Sequence, residues 1–350
     1  MRAGGGGLHG IMLSRGVVIT MILVAGLGSI GRRHLRNLVT LGEKDIVLLR
    51  SHRATLPDDE LLGYPVEAEI DAALKRYHPA AVIVANPTAL HLNVAIPAAR
   101  LGCAVLLEKP ISSSMNGVAR LRSAIDANGA RVLMGFQFRF HPGLVRARQL
   151  IQEGEIGRVI SAHVHFGEYL PAWHPWEDYR RGYAARADLG GGVLLTQCHA
   201  LDYLPWLVGE PEAVSGFVGK LSDLEIDVDD TAEIVLRISD GKLGTVHLDY
   251  AEQPPSHQIE IEGTQGSLKC DLLAGTTRLY RANRSAWEDF PLPAGWERNT
   301  MFLDEMRHFL AVVRGEARPA CNLDDGVRVM LMIEAVKRSS RSGRVISLKR

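Results

Sequence analysis

The chain has 350 residues, of which 46% are hydrophobic and 23% are charged, and its 40 Lys plus Arg balance 40 Asp plus Glu. This length favours two domains, and the composition excludes disordered and fibrous proteins. The formal net charge of zero excludes the overall positive field that draws proteins to nucleic acid or to anionic membranes, so we expect neither partner. The four cysteines form no CxxC pair, which indicates a reducing, cytoplasmic location.

An apolar run over 17–25 follows Arg15, as in a signal peptide. We reject that interpretation because the run leads directly into a glycine-rich turn, with no small-residue cleavage site between them. Residues 1–20 are therefore expected to form a disordered extension. Met12 and Met21 are alternative start sites.

Short apolar runs alternate with amphipathic stretches over 21–141, a pattern typical of βαβ units around a parallel sheet. The runs predict strands at 22–25, 46–49, 81–85, 104–107 and 132–136. Helices are predicted at 30–41 and 93–101, and a glycine follows each of them. An α/β fold is therefore expected for this half of the chain.

Longer alternating segments follow over 142–350 and predict a mostly antiparallel sheet. They lie at 159–166, 228–238, 243–250 and 257–268, and helices are predicted at 191–207, 300–314 and 324–340. This half therefore reads as an α+β domain. Its last helix is a candidate to pack back on the first domain.

A GxGxxG motif, Gly26, Gly28 and Gly31, separates the first predicted strand from the first predicted helix. Such glycines permit a tight turn and close approach of the backbone to a pyrophosphate, which the helix N-terminus at Ser29 and Ile30 would bind. A glycine-rich turn without a ligand is the alternative. The flanking strand and helix favour a Rossmann dinucleotide site.

The second strand ends where NAD enzymes usually place an acidic residue on the ribose. Here the segment contains Arg50, Ser51 and Arg53. A guanidinium pairs well with a 2′-phosphate, so these residues favour NADP(H) slightly over NAD(H). A solvated basic turn is an almost equal alternative.

Three further segments resemble the glucose-fructose oxidoreductase / inositol dehydrogenase / rhizopine catabolism (Gfo/Idh/MocA) family, and the similarity extends from about residue 21 to the end. They are a strand and loop with Asn86, Pro87, Thr88 and His91, the tripeptide Glu108-Lys109-Pro110, and a glycine-rich segment at 190–195 followed by His199 and Asp202. The resemblance implies a Rossmann domain over 21–141, with the first two segments binding the coenzyme. It also implies a substrate-binding domain over 142–350 with a large open-faced sheet, through which dimers or tetramers form.

Oxidation of an alcohol needs a base and a group that stabilises the developing alkoxide. The resemblance assigns these roles to Lys109, at the end of a predicted parallel strand, and to His199. Without it, a surface lysine and a structural histidine would be the simpler interpretations. Asp202, three residues after His199, is expected to fix the tautomer of its ring.

The chain departs from many relatives, which carry an Asp three or four residues before the histidine. Leu195 and Thr196 occupy these positions. Thr196, Gln197 or a loop residue would then replace the carboxylate in orienting the substrate. Loss of redox activity is the other interpretation.

A stretch over 167–189 is rich in aromatic residues and arginines, which suit stacking on sugars and binding of anions. Residues predicted to bind substrate are Lys109, Arg139, Trp173, Trp176, Tyr179, Arg180, Gln197, His199 and Asp202. An anionic sugar, such as a nucleotide-sugar or a sugar acid, fits this composition. An oligomer contact is an equal alternative for the loop. His163 and His165 have no nearby ligand in the sequence, so no metal site is predicted.

The predicted function is NAD(P)-dependent transfer of a hydride between nicotinamide and a secondary hydroxyl or ketone of a sugar. Two alternatives remain open. One is a non-catalytic NAD(P)-binding sensor similar to a co-repressor. The other is an epimerase or glycoside-cleaving enzyme that retains its cofactor through a closed redox cycle.

Overall fold

The computed structural model describes residues 21–51 and 56–349. Its first domain contains a six-stranded sheet in the order β3-β2-β1-β4-β5-β6, and every neighbouring pair is parallel. This is the strand order of dinucleotide-binding doubly wound sheets, whose ligands lie at the carboxyl ends between β1 and β4. The strands are β1 Ile22–Ala25, β2 Ile46–Leu49, β3 Val66–Glu67, β4 Ala81–Val84, β5 Ala104–Glu108 and β6 Val132–Gly135.

α-Helices follow β1, β3, β4 and β5, and the strands are buried along their length except for β3. The five predicted strands and both predicted helices of this domain are confirmed to within two residues. The helices are α1 Ser29–Thr40, α2 Ile70–Tyr77, α3 His91–Arg100 and α4 Val118–Asn128.

The second domain contains a nine-stranded sheet in the order β14-β13-β12-β11-β7-β10-β9-β8-β15. Every neighbouring pair is antiparallel except β7 with β10, so the mostly antiparallel sheet is confirmed. Burial alternates along β9, which leaves one face of the sheet exposed. The strands are β7 Val159–Gly167, β8 Pro211–Gly219, β9 Thr231–Ile238, β10 Lys242–Asp249, β11 Ser256–Gly263, β12 Gly266–Asp271, β13 Thr276–Arg281, β14 Ala286–Pro291 and β15 Ile346–Ser347.

Two predictions for this domain are wrong. The single strand predicted at 257–268 is the hairpin of β11 and β12, because the chain turns at Thr264 and Gln265. The single helix predicted at 191–207 is two helices that are interrupted at Gln197 and Cys198. The helices of the domain are α5 Pro142–Gln152, α6 Val193–Thr196, α7 His199–Val208, α8 Arg298–Arg314 and α9 Leu323–Ser342.

The last two helices contact the first domain. In α8, Asn299 donates to the Asn37 side chain of α1 over 2.9 Å. In α9, a Cβ added to Gly326 would lie 2.9 Å from the side chain of Ile111, so that helix packs closely on the first domain. One contiguous cluster of buried apolar side chains includes residues of both sheets. Within residues 21–51 and 56–349, no helix combines the length and apolar composition needed to cross a membrane.

Candidate active site

The glycine-rich turn follows β1, and its three glycines have different surroundings. Gly26 has a φ of +91°, and a Cβ there would lie 2.4 Å from the Asn86 nitrogen. A Cβ on Gly31 would lie 1.8 Å from the Gly26 oxygen, so only glycine lets α1 approach the turn. A Cβ on Gly28 would meet nothing within 4 Å, so this position faces open space. A dinucleotide fits this cradle, because the amides at the start of α1, Ser29 onward, are available to a pyrophosphate.

The basic residue at the end of β2 is already paired. Arg50 is 9% exposed, and its Nη2 donates to Asp58 Oδ1 over 2.8 Å. Arg32 Nη2 lies 3.7 Å from the same carboxylate oxygen. Ser51 is exposed, and Arg53 lies outside the described residues. A 2′-phosphate would therefore compete with Asp58 for the Arg50 guanidinium.

The loop after β4 contains Asn86, Pro87 and Thr88, and His91 begins α3; the sequence predicts that these four residues bind the coenzyme. His91 is buried, and its two ring nitrogens lie 2.9 Å from the Asn86 oxygen and 2.8 Å from the Pro110 oxygen. Both nitrogens are used within the protein. His91 therefore fixes the loops after β4 and β5 relative to each other and offers no ring nitrogen to a ligand.

Lys109 follows β5 and reaches the second domain, where its Nζ donates to the Thr196 oxygen over 2.6 Å. Although burial favours the neutral amine, the acidic groups nearby, first among them Tyr183 and then Cys198, raise the pKa of Lys109 above its ordinary value. As an ammonium, Lys109 can donate to a developing alkoxide.

Glu108, predicted to bind the coenzyme, has both carboxylate oxygens engaged within the protein. Its Oε1 lies 2.7 Å from His34 Nε2, and its Oε2 accepts from the Lys109 amide over 3.3 Å. The fully buried side chain of Glu305, in α8, lies close to Glu108 and His34. Neither of its carboxylate oxygens has a hydrogen-bond partner among the described residues. Burial, and then the charge of Glu108, raise the pKa of Glu305 well above its ordinary value. The sequence analysis missed Glu305, whose only signal is an acidic residue between apolar positions of a helix.

His199 begins α7 and is 5% exposed. Its ring packs edge-on against Phe138, with centroids 4.9 Å apart, and its Nε2 lies 3.4 Å from Gln137 Nε2. Burial, and then the charge of Lys109, lower the pKa of His199 well below its ordinary value. The imidazole is therefore neutral and able to accept a proton.

Asp202 does not touch the ring of His199, so the predicted tautomer contact is wrong. Arg139 takes both oxygens of the Asp202 carboxylate, with Nε to Oδ2 at 3.0 Å and Nη2 to Oδ1 at 2.7 Å. The same guanidinium contacts Asp325 Oδ1 at 3.1 Å and donates to the Ala320 oxygen over 2.9 Å. Arg139 and Asp202 thus form an internal ion pair, instead of the substrate contacts that the sequence predicted for each.

Both halves of the chain match family models. Residues 20–136 match the model described as an oxidoreductase family with an NAD-binding Rossmann fold, and residues 144–269 match the GFO/IDH/MocA C-terminal domain. The chain belongs to the GFO/IDH/MocA family. It is 26% identical over 341 residues to the myo-inositol 2-dehydrogenase of Thermotoga maritima, covering 93% of this chain and 98% of the relative.

Another relative is the 2,7-anhydro-N-acetylneuraminate hydratase of Mediterraneibacter gnavus. It is 30% identical over 219 residues, covering 61% of this chain and 57% of the hydratase. Two similar solved structures are a levoglucosan dehydrogenase in complex with NADH and levoglucosan and the WlbA dehydrogenase from Bordetella pertussis in complex with NADH and UDP-GlcNAcA. The levoglucosan dehydrogenase has a TM-score of 0.82 at 20% identity, and the match covers 94% of this chain and 99% of that structure. The WlbA dehydrogenase has a TM-score of 0.77 at 23% identity, and the match covers 95% of this chain and 99% of that structure. At these identities the two structures support the fold alone.

Leu195 and Thr196 occupy the positions where many GFO/IDH/MocA relatives carry an Asp, and neither side chain is a carboxylate. Leu195 is buried, and the Thr196 hydroxyl donates to the Gly192 oxygen over 2.9 Å and contacts the Tyr250 hydroxyl. Gln197 Nε2 donates to the Asp249 oxygen over 3.0 Å. Glu168, a loop carboxyl that the sequence analysis did not select, lies within the electrostatic reach of Lys109, and burial raises its pKa. Glu168 is therefore the candidate replacement for the missing carboxylate.

The aromatic-rich segment that follows β7 touches the loop after β4. A Cβ on Gly190 would lie 2.9 Å from the Thr88 Cβ, so the two loops touch. Trp173 is half-buried and packs edge-on against Tyr250, with centroids 5.5 Å apart. Trp176 is 70% exposed. Trp173 therefore lies beside Tyr250, whereas Trp176 is exposed.

The two remaining predicted loop residues are tied to the protein surface. The Tyr179 hydroxyl accepts from the Glu225 amide over 3.1 Å. Arg180 Nε donates to Asp178 Oδ1 over 2.8 Å, and its Nη1 contacts Glu225 Oε2 at 2.5 Å. The charge of Arg180 is therefore already balanced by two carboxylates. Binding of an anionic substrate there would require Arg180 to exchange these partners.

Proposed function

We propose that this chain is an NAD(P)-dependent oxidoreductase that interconverts a secondary hydroxyl and a ketone of a sugar derivative. The observation that carries the proposal is the contact of Lys109 Nζ with the Thr196 oxygen, 2.6 Å. It places a cation from the carboxyl end of the Rossmann sheet against the segment that leads into His199. The turn with Gly26, Gly28 and Gly31 would hold a dinucleotide, which would supply or accept the hydride.

The two side chains have complementary charge states for this chemistry. The neutral ring of His199 accepts the hydroxyl proton, and the ammonium of Lys109 stabilises the oxygen as it gains negative charge. Burial raises the pKa of Glu168 above its ordinary value, and in this proposal that loop carboxyl passes the proton towards solvent. This division of roles requires no carboxylate three or four residues before the histidine.

Relatives named as dehydrogenases support net oxidation of the substrate. Relatives named as hydratases support a second candidate function, hydration with a retained coenzyme. Hydration changes no net oxidation state, so such an enzyme would keep its coenzyme through a closed redox cycle. The purified chain, supplied with NAD⁺ or NADP⁺ and a panel of nucleotide-sugars and sugar acids, separates the two. Net formation of NAD(P)H supports the dehydrogenase, whereas product formation without reduced coenzyme supports the closed cycle. Tight coenzyme binding with no turnover of any sugar would favour the sensor.

The pH profile of turnover tests the role of His199. A base works only when deprotonated, and an ordinary histidine would be half protonated near pH 6.5. Because its pKa lies well below that value, we expect kcat to stay level as the pH falls from about 7.5 to 6. His199→Gln should lower kcat by about 10²-fold or more at every pH in this range. A profile that falls with an apparent pKa near 6.5, or a His199→Gln variant with normal turnover, would contradict the assignment.

We propose that both coenzymes bind and that Arg50 gives a modest preference for NADP(H). The 2′-phosphate must draw the guanidinium away from Asp58, so the gain is partly offset. Arg50→Gln is expected to weaken NADP⁺ binding by about tenfold or more while leaving NAD⁺ binding unchanged. Asp58→Asn, which removes the competing charge, should strengthen NADP⁺ binding by up to about fivefold. Titration of each variant with both coenzymes measures this, and equal effects on both would refute the role of Arg50.

We also propose a cytoplasmic homo-oligomer, a dimer or tetramer formed through the exposed face of the second sheet. Phe217, Val235 and Leu243 lie on that face with 72%, 50% and 54% exposure, which supports a protein contact there. All four cysteines are buried free thiols, as expected of a protein in a reducing compartment. Light scattering coupled to size exclusion measures the oligomeric state.

A further inference from the structure

Two histidines stand side by side on the exposed face of the second sheet. His165 in β7 and His247 in β10 are register partners in the parallel strand pair. Their rings stack with centroids 4.5 Å apart and planes inclined by 13°. Within a single chain their side chains are 46% and 24% exposed. The sequence alone gave no reason to connect them, because they lie far apart along the chain.

Carboxylates surround the two rings. His165 Nε2 lies 2.7 Å from Glu252 Oε2, and His247 Nε2 lies 2.9 Å from Asp249 Oδ2. Ligand atoms of His165, His247 and Asp249 all lie within 4.8 Å of one another. Zinc ligands at about 2.0–2.2 Å from the ion lie roughly 3.3–3.6 Å apart in a tetrahedron, so these atoms must approach one another by up to about 1.5 Å to bind one ion.

The backbone around the cluster is shaped to bring the carboxylates together. A Cβ on Gly167 would lie 1.8 Å from Glu252 Oε2 and 2.4 Å from Asp249 Oδ2, so only glycine leaves room for both groups. Asp249 Oδ1 accepts from the amides of Ala251 at 2.6 Å and Glu252 at 2.7 Å. These bonds hold the carboxylate with its other oxygen towards His247.

We propose that His165, His247, Asp249 and Glu252 bind a divalent transition-metal ion, with Zn²⁺ the best match. Two imidazole nitrogens and two carboxylate oxygens suit Zn²⁺, whereas Mg²⁺ and Ca²⁺ favour oxygen ligands alone. Glu233 Oε1 lies 2.6 Å from His247 Nδ1. That contact keeps a proton on Nδ1, and a bound ion would take the place of the Nε2 proton that otherwise faces Asp249 Oδ2, the arrangement of many zinc-bound histidines.

The ion would strengthen the connection between the sheet and the candidate active site. The Asp249 main-chain oxygen accepts from Gln197, and the Tyr250 hydroxyl contacts Thr196. An ion bound by Asp249 and Glu252 would therefore hold the turn at 249–252 in place. That turn contacts Gln197, at the point where the chain passes from α6 to α7. Its role is to stabilise this turn, so the site does not depend on the proposed redox function.

The test uses the full chain, stripped of metal with a chelator and titrated with Zn²⁺ by calorimetry. We expect one ion per chain and a rise in melting temperature on binding. His165→Gln and His247→Gln should each weaken binding by at least about 100-fold, since even outer-shell changes cost about 10–100-fold. Glu233→Gln should weaken it by about tenfold for the same reason. His163→Gln is the matched control, because His163 lies on the same strand face and bonds to Thr245 at 2.8 Å; it should bind as the unmodified chain does.

Co²⁺ provides a second measurement, because its visible absorption reports whether nitrogen ligands surround the ion. Loss of that spectrum in His165→Gln and His247→Gln, but not in His163→Gln, supports the proposal. Circular dichroism and size exclusion establish that each variant keeps its fold and assembly. The proposal is overturned if the unmodified chain takes up no Zn²⁺, so that the cluster is a hydrogen-bonded network only. It is equally overturned if the folded His165 and His247 variants bind Zn²⁺ as tightly as His163→Gln.

Discussion

Lys109→Met is expected to lower kcat by at least about 10²-fold while coenzyme affinity changes little. Methionine keeps the length and most of the volume of the side chain but removes the cation. The Lys109 ammonium is the donor that reaches from β5 to the Thr196 oxygen, where the substrate oxygen is expected to develop charge. Steady-state kinetics with the sugar identified in the screen, together with coenzyme titration by fluorescence, separate the chemical step from binding.

Lys242→Met is the matched control for this experiment. Lys242 Nζ also donates to a main-chain oxygen, that of Val208 at 2.8 Å, but it lies at the opposite end of β10 from Asp249. Both variants therefore lose a hydrogen bond from a lysine to a main-chain oxygen. Only Lys109 lies at the carboxyl end of the six-stranded Rossmann sheet. Normal kcat in Lys109→Met would remove Lys109 from the mechanism. An equal loss in both variants would assign the effect to structure.

The sequence predicts the first domain well because buried parallel strands are continuous apolar runs between glycines. The short β3 was missed because two residues form no run, and one of them, Val66, is exposed. In the second domain, β14 was missed for a related reason: most of its side chains are exposed, so it carries no alternation. The hairpin of β11 and β12 was read as one strand because its alternating pattern continues on both sides of the turn at Thr264 and Gln265.

In the candidate site, too, the sequence predicts residues that have a local pattern around them, but it does not predict contacts between residues far apart in the chain. The glycine turn and Lys109 were found because each has a local signature beside a strand. The partner of Asp202 was not found, because Arg139 is 63 residues away and a bidentate guanidinium outcompetes a histidine on the next helical turn. The pairing of Arg50 with Asp58 depends likewise on the fold of the segment after β2.

Asp202→Leu is expected to lower the free energy of unfolding by about 3–5 kcal/mol, because it leaves a buried guanidinium without its main partner. Arg139 and Asp202 are 7% and 2% exposed, so water cannot replace the lost carboxylate. Asp325 and the Ala320 oxygen remain near Arg139, which places the loss within this range and not above it. Urea denaturation followed by circular dichroism measures the change.

Two further variants separate the cost of an unpaired charge from the cost of altered packing. The double substitution Arg139→Met with Asp202→Leu should regain most of the lost stability, since well-packed apolar residues often replace a buried ion pair at little cost. Asp304→Ala breaks the exposed pair with Arg307, whose side chain is 55% exposed, and should cost less than about 1 kcal/mol. If Asp202→Leu were no more destabilising than Asp304→Ala, the pair would not hold α7 to the segment after β6. If the double variant were as unstable as Asp202→Leu alone, the loss would come from packing and not from the stranded charge.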